Sequence, residues 1–340
     1  MSGSANERYS RQILFSPIGA PGQLRLSQSV VAIVGCGATG SAVAALLARA
    51  GVGRLRIIDR DYVEASNLQR QSLFDEADAR ESLPKALAAA RKIAQFNSGV
   101  SVQPEVADLV PENAGALLGD GHLILDGTDN FETRYLLNDF AVSRALPWIY
   151  AAALGSYCAT MNIIPEETAC LACMFPEPPR ATETCDTIGI LNSAVNLVAS
   201  VQASEAIKFL VGARDQMRRS LLSWDVWSNQ RAEVLAEKPR PDCRVCGARE
   251  FTYLEGKNRA PVTLLCGRDA VQIHESHRPV DFREMSRKLD PHGRVRHNEF
   301  VLKFWREPYE LTLFPDGRAI IKGTSDAAQA RSFYARFVGA

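Results

Sequence analysis

The sequence predicts an α/β protein with a doubly wound, mostly parallel sheet, followed by a small C-terminal α+β module. Two observations predict the sheet. Residues 29–61 read as strand, glycine-rich turn, helix and strand, and the alternation of strands and helices continues well beyond them. A third observation, two Cys-x-x-Cys pairs at residues 170–173 and 243–246, adds a cluster of the metal-ligand type to this fold.

The first strand, turn and helix form the best-defined part of the chain. Residues 30–34 are a continuous apolar run, which is typical of a strand buried on both faces. Residues 41–50 are rich in Ala and Leu and predict a helix, and residues 55–58 predict the second strand. The order strand, helix, strand is that of a parallel βαβ unit.

The turn GCGATG, residues 35–40, indicates a Rossmann-like nucleotide site. Gly35 permits the tight turn, Gly37 lets the backbone approach a phosphate, and Gly40 allows the helix to pack closely. The phosphates would then meet the positive end of the helix dipole. Asp59, at the end of the second strand, is placed to accept hydrogen bonds from a ribose. Alone, this turn indicates only a nucleotide, and an NAD enzyme would be the commoner inference.

The remaining predicted elements extend the sheet and add the module. Further strands are expected at 101–106, 122–126 and 148–153, a half-buried strand at 156–165, and helices at 84–96, 131–145 and 192–210. The module is expected to hold a strand pair within 262–274, a helix at 280–290, a hairpin of 300–306 with 309–322 around residues 315–317, and a closing helix at 325–337. We therefore expect two domains, residues 1–249 and 250–340.

Composition and charge limit the classes of function. The chain has 340 residues, of which 46% are hydrophobic, and Lys plus Arg equals Asp plus Glu at 39 each. This balance offers no general steering toward nucleic acid or an anionic membrane. The polar start lacks the apolar core of a secretory signal, and no apolar run approaches the roughly 18 residues of a membrane-spanning helix. We expect a cytoplasmic protein whose eight cysteines are metal ligands, nucleophiles or buried thiols rather than disulfides.

The two cysteine pairs predict a structural zinc site. Two thiolates from one turn and a second such pair complete a closed shell of four ligands, namely Cys170, Cys173, Cys243 and Cys246. No coordination position is left open for chemistry, so Zn²⁺ would fasten the middle of the chain to the end of the first domain. The rival interpretation, a redox Cys-x-x-Cys, normally opens a helix in a thioredoxin-like unit, and neither pair is followed by such a pattern.

Three clusters near the predicted sheet edge favour a metal-triphosphate over a nicotinamide. Arg70, in SNLQRQ, is a permanent cation with a forked geometry suited to phosphate. Lys85 stands at a helix start, which is unusual for stability but sensible beside a polyphosphate. Asp126 and Asp129, in LDGTDN, offer the hard oxygen ligands that Mg²⁺ prefers. Taken singly these are solvated or helix-capping side chains, but their joint placement predicts a site for Mg-ATP.

The ordered motifs resemble a known family. RYSRQ at 8–12, GCGATG, IIDRD, SNLQRQ, LPKA, LDGTDN and the two cysteine pairs occur in the order found in the ThiF/MoeB/HesA family, relatives of ubiquitin-activating enzymes. The resemblance implies an adenylyltransferase that uses Mg-ATP to adenylate the C-terminal glycine of a small ubiquitin-like sulfur carrier protein ending in Gly-Gly, releasing pyrophosphate. It also implies a place in the synthesis of thiamine, molybdopterin, thiolated tRNA or another sulfur-containing product.

The same resemblance assigns roles to the matching residues. It implies that Gly35, Gly37 and Gly40 lie under the nucleotide and that Asp59 holds the ribose. It implies that the phosphates are held by Asn67, Arg70 and Lys85. Asp129 would hold the magnesium ion. Arg11, in RYSRQ, matches an arginine that family dimers insert into the partner's active site, which implies a homodimer.

Two features stay open on the sequence. Cys185, in TETCDTIG, stands where some family members place a cysteine that bonds covalently to the activated carrier. Acyl transfer or persulfide handling is one interpretation of it, and a bystander thiol is the other. The module at 250–340 exceeds the ending of a minimal family member. It is interpreted either as a carrier- or partner-docking domain or as a stabilising or dimer-forming appendage.

Three rival functions remain. An NAD-dependent oxidoreductase would share the glycine turn and Asp59, but it would not require Arg70, Lys85 and Asp129. An enzyme that adenylates a small-molecule or tRNA-linked carboxylate is a second rival, and the lack of a basic run weighs against RNA. A non-catalytic, zinc-stabilised scaffold is the third, and the intact set of charged motif residues argues against it.

Overall fold

The computed structural model describes residues 7–178, 188–257, 262–265, 269–273 and 279–339. The described residues form two compact units: the first holds residues 7–178 and 190–257, and the second holds residues 188–189 together with those after 257. Residues 250–257, which follow the expected domain boundary, belong to the first unit.

The first unit begins with two short helices and then alternates strands and helices. Its elements are α1 (Ser10–Ile13), α2 (Gly19–Gln28), β1 (Val30–Val34), α3 (Ala38–Ala50), β2 (Arg54–Ile58), α4 (Glu76–Glu81), α5 (Lys85–Phe96), β3 (Ser101–Glu105), α6 (Pro111–Leu118), β4 (Leu123–Asp126), α7 (Phe131–Ser143), β5 (Trp148–Leu154), β6 (Tyr157–Ile163), α8 (Leu171–Met174), α9 (Asn192–Val211), β7 (Ser220–Asp225) and β8 (Gln230–Leu235). The strands and helices predicted for this unit are confirmed, with ends shifted by a few residues. Elements α1, α2, α4, α6, α8, β7 and β8 were not predicted.

An eight-stranded mixed sheet forms the centre of the first unit, in the order β3-β2-β1-β4-β5-β6-β7-β8. Strands β1 to β5 pair in parallel, and β6 to β8 continue the sheet in antiparallel pairs. The expected mostly parallel sheet is therefore parallel only in its first five strands. The register sets Val34 of β1 beside Ile58 of β2 and Asp126 of β4, so these strands end at one edge. The strand order reverses between β1 and β4, and such a switch point opens a crevice at the carboxyl ends.

Helices cover both faces of the parallel strands. On one face, Ala32 and Val34 of β1 pack in a cluster with Tyr135 and Phe140 of α7. Val31 and Ile33, which point the opposite way, are equally buried, so the other face is covered as well. Helix α3 contacts β1, β2 and β5, and α9 contacts β5 and β6. The continuous apolar run predicted for β1 is the direct consequence of this double cover.

Strand β6 was expected to be half-buried, and this was wrong. Only Tyr157 is exposed, and the following six residues are all buried. The polar residues that gave the appearance of alternation, Thr160 and Asn162, lie inside the protein with hydrogen-bond partners. Thr160 Oγ1 donates to the Tyr150 carbonyl oxygen (2.8 Å), and Asn162 Nδ2 donates to Glu205 (2.5 Å). Buried polar side chains with partners imitate the pattern of a solvated strand face.

Helix α9 has 20 residues and is, by length and composition alone, apolar enough to cross a membrane, against the expectation that no such run exists. More than half of the apolar stretch is buried inside the first unit. Gln202 Nε2 donates to the carbonyl oxygens of Asp126 and Ile149, at 2.9 Å each. Glu205 accepts from Lys208 at 2.8 Å. These bonds are those of a core helix that ties strand ends together.

The second unit contains a six-stranded antiparallel sheet in the order β11-β12-β13-β14-β10-β9. Its elements are β9 (Val262–Leu265), β10 (Ala270–Ile273), α10 (Phe282–Leu289), β11 (Arg294–His297), β12 (Leu302–Arg306), β13 (Tyr309–Leu313), β14 (Ala319–Lys322) and α11 (Ala327–Phe337). Phe304 and Leu311 of the sheet pack with Phe333 and Phe337 of α11. The predicted strand pair, helix and closing helix are confirmed, whereas β11 was not predicted. The single hairpin expected for 300–306 with 309–322 is instead a meander of three strands, in which β12 pairs with β13 and β13 pairs with β14.

Candidate functional site

Three glycines interlock at the edge where β1 and β4 end. Gly35 has a φ of +83°, a conformation that favours glycine. A Cβ added to Gly40 would lie 1.8 Å from the Gly35 carbonyl oxygen, and one added to Gly127 would lie 2.4 Å from the same atom. The turn after β1 and the loop after β4 therefore touch backbone to backbone, and neither Gly40 nor Gly127 accepts a side chain.

Gly37 precedes α3 and faces open space. The nearest atom to a Cβ at this position would be the Gly127 carbonyl oxygen, 4.0 Å away. The Ser41 amide donates to the Gly37 carbonyl oxygen (3.0 Å), so the amides of the residues between them lie before the helical bonding pattern begins. A 13-residue helix with a side-chain-free start fits a phosphate group, because the amides and the helix dipole both favour an anion there.

Asp59 closes the glycine turn from the end of β2. Its Oδ2 accepts from the Cys36 amide (2.5 Å), and its Oδ1 accepts from the Asp61 amide (2.7 Å). Burial raises the pKa of Asp59, although the nearby Lys85 ammonium lowers it in part. A carboxylate has about four acceptor sites, so these two bonds leave capacity for a ribose hydroxyl.

Buried cations and carboxylates collect beside Asp59. Lys85, the first residue of α5, is 5% exposed, and its Nζ lies 3.2 Å from Asp61 Oδ2. Arg60 pairs with Asp108 at 2.9 Å. Burial alone would lower the pKa of Arg60, but the carboxylates of Asp108, Asp61 and Asp129 raise it above its ordinary value. Asp129 therefore lies near enough to this group to act on its charge.

The loop after β4 carries Asp129 on its exposed side. Asp126 is fully buried, and its Oδ1 accepts from the amide (2.8 Å) and hydroxyl (2.7 Å) of Thr128. Its Oδ2 accepts from Arg134 Nε at 3.0 Å. Both oxygens of Asp126 are thus engaged within the protein, which corrects its assignment as a metal ligand. Of the two aspartates, Asp129 alone offers an accessible carboxylate.

The SNLQRQ segment begins in a short 3-10 turn, Ala65–Asn67, which comes directly after the acidic stretch that follows β2. Asn67 is 2% exposed, and its Oδ1 accepts from the Glu64 amide (3.1 Å). Arg70 is half-buried, and its Nη1 donates to the Ser66 carbonyl oxygen (2.8 Å). Because a guanidinium has five N–H donors, this bond leaves others for an anion. Asn67 thus shapes the turn that carries Arg70.

Arg11 lies on α1 with its side chain exposed, and among the described residues no hydrogen bond or ion pair joins it to the glycine turn. Its neighbours Leu14 and Phe15 are 73% and 60% exposed. The structure brings the glycine turn, Asp59, Lys85 and Asp129 to one edge and leaves Arg11 apart from them. Cys185 lies outside the described residues.

Sequence reasoning missed three residues of this edge. Gly127 had a usable signal, since it directly follows a strand that is fully buried. Asp61, which pairs with Lys85, stands two residues after Asp59; the sequence identified it only as the last residue of the IIDRD motif, with no role of its own. Arg134 gave no signal, because an arginine in the first turn of a helix reads as a surface residue, whereas it is 5% exposed.

The four predicted cysteines converge. Their sulfur atoms all lie within 4.8 Å of one another. Cys170 Sγ lies 3.8 Å from Cys173 Sγ and 3.7 Å from Cys243 Sγ, and Cys173 Sγ lies 3.3 Å from Cys246 Sγ. Zinc–sulfur bonds of 2.3 Å in a tetrahedron place sulfurs about 3.8 Å apart. The cluster therefore has the size and the donor set for one tetrahedral ion.

Neighbouring groups prepare this cluster for a cation. Hydrogen bonding within the cluster lowers the pKa of Cys173 and Cys243 and raises that of Cys170, because the neighbouring thiols share their protons. Asn138 of α7 accepts from the Leu171 amide (2.8 Å), and its Nδ2 lies 3.7 Å from Cys170 Sγ. Such bonds orient metal ligands and make them better donors.

Known proteins match this chain over most of its length. The ThiF family model matches residues 9–245. The "Sulfur carrier protein ThiS adenylyltransferase" of Bacillus subtilis (strain 168) is 42% identical over 335 residues, 98% of this chain and 99% of that protein. The "SAMP-activating enzyme E1" of Haloferax volcanii is 35% identical over 71% of this chain and 88% of that protein. The "Adenylyltransferase and sulfurtransferase MOCS3" of Sus scrofa is 37% identical, over 71% of this chain and 53% of that protein.

Solved structures agree with the fold. A crystal structure of E. coli MccB with ATP has a TM-score of 0.62 and 23% identity, covering 71% of this chain and 75% of that one. A structure of PaaA has a TM-score of 0.59 and 25% identity, covering 70% and 75%. The motifs, the sheet and the sequence matches agree, and the chain belongs to the ThiF family.

Proposed function

We propose that this protein activates a small sulfur carrier protein by transferring AMP from ATP to the carrier's C-terminal glycine. The protein is an adenylyltransferase. The observation that carries the proposal is the meeting of the open glycine turn, Lys85 and Asp129 at the switch point of the sheet. The 42% identity to a ThiS adenylyltransferase over nearly the whole chain supports a carrier of that kind, ubiquitin-like and ending in Gly-Gly.

The chemistry requires positioning and charge neutralisation more than proton transfer. The carrier's carboxylate oxygen bonds to the α-phosphorus in line, the bond to the bridging oxygen breaks, and pyrophosphate leaves with the electron pair. Lys85 and Arg70 are the cations assigned to the phosphates. Because Asp61 holds the Lys85 ammonium in place before substrate arrives, little reorganisation is needed when charge develops.

Asp59 and Asp129 are assigned to the ribose and to Mg²⁺. Asp59 has acceptor capacity beyond its two backbone bonds. Asp129 has the exposed carboxylate that a hard cation prefers, close enough to Arg60 to act on its charge. When bound, Mg²⁺ neutralises charge on the phosphate oxygens.

The four-cysteine cluster is assigned to a structural Zn²⁺. A closed shell of four thiolates leaves no position for substrate, so the ion would contribute to stability and not to chemistry. Cys170 and Cys173 belong to the middle of the chain, and Cys243 and Cys246 to the end of the first unit. The ion would therefore join segments that lie 73 residues apart.

We also propose that the protein acts as a homodimer in the cytoplasm, with no nucleic acid or membrane as partner. Arg11 is exposed beside Leu14 and Phe15, which supports a role for α1 in contact with a second copy. The zero net charge supports a protein carrier over RNA. Cys185 is retained as a candidate for a second, acyl-transfer step, and the C-terminal module as a docking domain.

Exchange of labelled pyrophosphate into ATP tests this proposal. The enzyme is assayed with magnesium, alone and with a panel of small ubiquitin-like proteins ending in Gly-Gly. We expect exchange that depends on one carrier and falls by about 100-fold or more in Arg70→Ala. Arg91→Ala, which changes an exposed arginine on α5, is the matched control and should leave the rate unchanged.

The outcome also separates the rival functions. Exchange that requires a small carboxylate or a modified RNA, and no protein, would support the second candidate, adenylation of a small-molecule or tRNA-linked carboxylate. Absence of exchange with every substrate class, in a folded protein with metal bound, would support the scaffold.

A further inference from the structure

Arg134, in the first turn of α7, is a buried cation that the proposed chemistry does not use. Its side chain is 6% exposed, and its partner Asp126 is completely buried. A buried ion pair is weak evidence for stability, because apolar residues of similar volume often stabilise a core equally well. The position of this pair, directly beneath the loop that carries Asp129, suggests a role in the site.

The Arg134 guanidinium donates hydrogen bonds to three segments of the first unit: the end of β4, the loop after it, and β5. Its Nε donates to Asp126 Oδ2 (3.0 Å), at the end of β4. Its Nη2 donates to the carbonyl oxygens of Thr128 (2.6 Å) and Ala151 (3.1 Å). One rigid group thus joins β4, the loop after it and β5.

The other bonds of this loop complete its fixation. Asp126 Oδ1 accepts from the amide and the hydroxyl of Thr128. The Gly127 amide donates to the Val34 carbonyl oxygen (2.8 Å), and the Asn130 side chain accepts from the Thr133 amide (2.8 Å). The residues on both sides of Asp129 are therefore tied to the scaffold, while its own side chain is exposed.

The pocket around Arg134 is shaped for a planar group. The rings of Phe131 and Tyr150 lie 5.2 Å from its central carbon. A lysine ammonium is a point charge on a flexible stem, and it cannot reproduce the forked bonds to Asp126, Thr128 and Ala151 in one plane. The charge alone is therefore not enough for this arrangement.

We propose that Arg134 is a positioning residue: it holds the loop of residues 127–130, and thereby the Asp129 carboxylate, in the orientation needed at the metal-phosphate part of the site. The significance of Asp129 rests on the proposed function, whereas the fixation of the loop does not. The two are tested separately.

The test uses Arg134→Lys in the full-length protein. This change keeps a positive charge beside Asp126, so it avoids a buried, unpaired carboxylate. Hydrogen–deuterium exchange should show the amides of Gly127 and Thr128 exchanging about tenfold faster or more, with the other described strands unchanged. Arg144→Lys, at an exposed arginine at the end of the same helix, is the control. It should change the amide exchange of neither the loop nor the strands.

The second measurement is the magnesium dependence of carrier-dependent pyrophosphate exchange. Arg134→Lys should raise the half-saturating Mg²⁺ concentration about tenfold while leaving the KM for the carrier within about twofold. In an Asp129→Ala background, the same change should have no further effect on the magnesium dependence, because the two residues act through one carboxylate.

Wild-type loop protection in a folded Arg134→Lys variant would overturn the inference. So would a loss of rate that does not depend on Mg²⁺, or full additivity with Asp129→Ala. If the wild-type protein exchanges no pyrophosphate with any carrier, the proposed function fails, and loop protection alone decides the role of Arg134. If Arg134→Lys does not fold, Asp126→Asn replaces one oxygen that anchors the guanidinium by an amide NH₂, and unchanged loop protection in that variant overturns the inference.

Discussion

Gly37 and Gly40 stand three residues apart in one turn, yet a methyl group at each would meet very different surroundings. At Gly40 the added carbon would lie 1.8 Å from the Gly35 carbonyl oxygen, which no small adjustment relieves. At Gly37 the nearest atom would be 4.0 Å away. One glycine is therefore required by the fold, whereas the other leaves room beside the backbone that a bound group can use.

This contrast gives a paired prediction at the residue scale. Gly40→Ala should destabilise the protein by more than about 4 kcal/mol or prevent folding, because backbone overlaps backbone. Gly37→Ala should melt within a few degrees of the wild type but bind ATP about tenfold more weakly or worse, since the methyl group occupies the approach to a phosphate. Thermal unfolding and calorimetric titration with ATP measure the two effects. Normal ATP binding by Gly37→Ala would place the nucleotide elsewhere.

At the scale of the element, helix α7 links three regions of the first unit. Its first turn holds the Asp129 loop through Arg134. Its middle holds the cysteine cluster through Asn138, which accepts from the Leu171 amide. The next residue, Asp139, accepts from the amides of Tyr253 (2.9 Å) and Leu254 (3.4 Å) and so anchors the end of the first unit. One helix thus sets the distance between the candidate active site and the candidate metal centre.

Asp139 makes part of the stability depend on pH. Burial raises its pKa to about 6; the Tyr253 and Leu254 amides and Arg244 lower it in part, and Glu255 raises it. Its Oδ1 has no hydrogen-bond partner within the described residues. Between pH about 4 and 6 the folded state then binds more protons than the unfolded state, so stability falls as the pH rises through this window. Above pH about 6, the ionised Asp139 lowers the free energy of unfolding by at most about 3 kcal/mol relative to its value at pH 4.

Replacing this carboxyl by an amide tests the sign. Asp139→Asn keeps an acceptor for the Tyr253 amide but cannot ionise, so we expect it to be more stable than the wild type at pH 7.5 by about 1 to 3 kcal/mol. The difference should shrink toward zero at pH 4. Urea unfolding at a series of pH values measures both curves. A variant that is less stable at pH 7.5 and equally pH-dependent would contradict the assignment to Asp139.

At the scale of the whole molecule, the cysteine cluster fastens two distant segments of the first unit. We expect the protein purified under reducing conditions to contain about one zinc per chain, measured by mass spectrometry of the metal. Cys243→Ser should lose the zinc and several kcal/mol of stability, because the folded state alone presents all four ligands. Cys158→Ala, at a buried cysteine outside the cluster, should keep its zinc. Zinc retained by Cys243→Ser would exclude this site.

The second whole-molecule prediction concerns assembly. If Arg11 acts in the partner's site, Arg11→Ala and Arg70→Ala should each be inactive as purified proteins. Mixing and reassociating them should restore about one quarter of the wild-type exchange rate, because half of the dimers are mixed and each mixed dimer has one intact site. A mixture of Arg70→Ala and Lys85→Ala provides the control. Because both residues belong to the same chain's site, each site of a mixed dimer lacks one of them and no activity is restored. Absence of restoration from dimers that do exchange subunits would place Arg11 in its own chain's site.

Several elements and motif residues could be read from the sequence because their causes are local. The apolar run of β1 and the glycine turn constrain only their own neighbourhood, and both were placed correctly. Strand β6 was misread because Thr160 and Asn162 find partners inside the protein, at Tyr150 and Glu205, that no pattern within the strand reveals.

The sequence by itself determined the βαβ start, the glycine turn of residues 35–40, and the four thiols at metal-ligand spacing. These features follow from backbone geometry and from the type of ligand atom, and both can be recognised in short stretches of the sequence. Only the tertiary structure decided that pairs of cysteines 73 residues apart meet, that Asp126 is buried while Asp129 is exposed, and that Arg134 lies beneath their loop. Those outcomes depend on which strands become neighbours, and the burial and pairing of each charge follow from that arrangement.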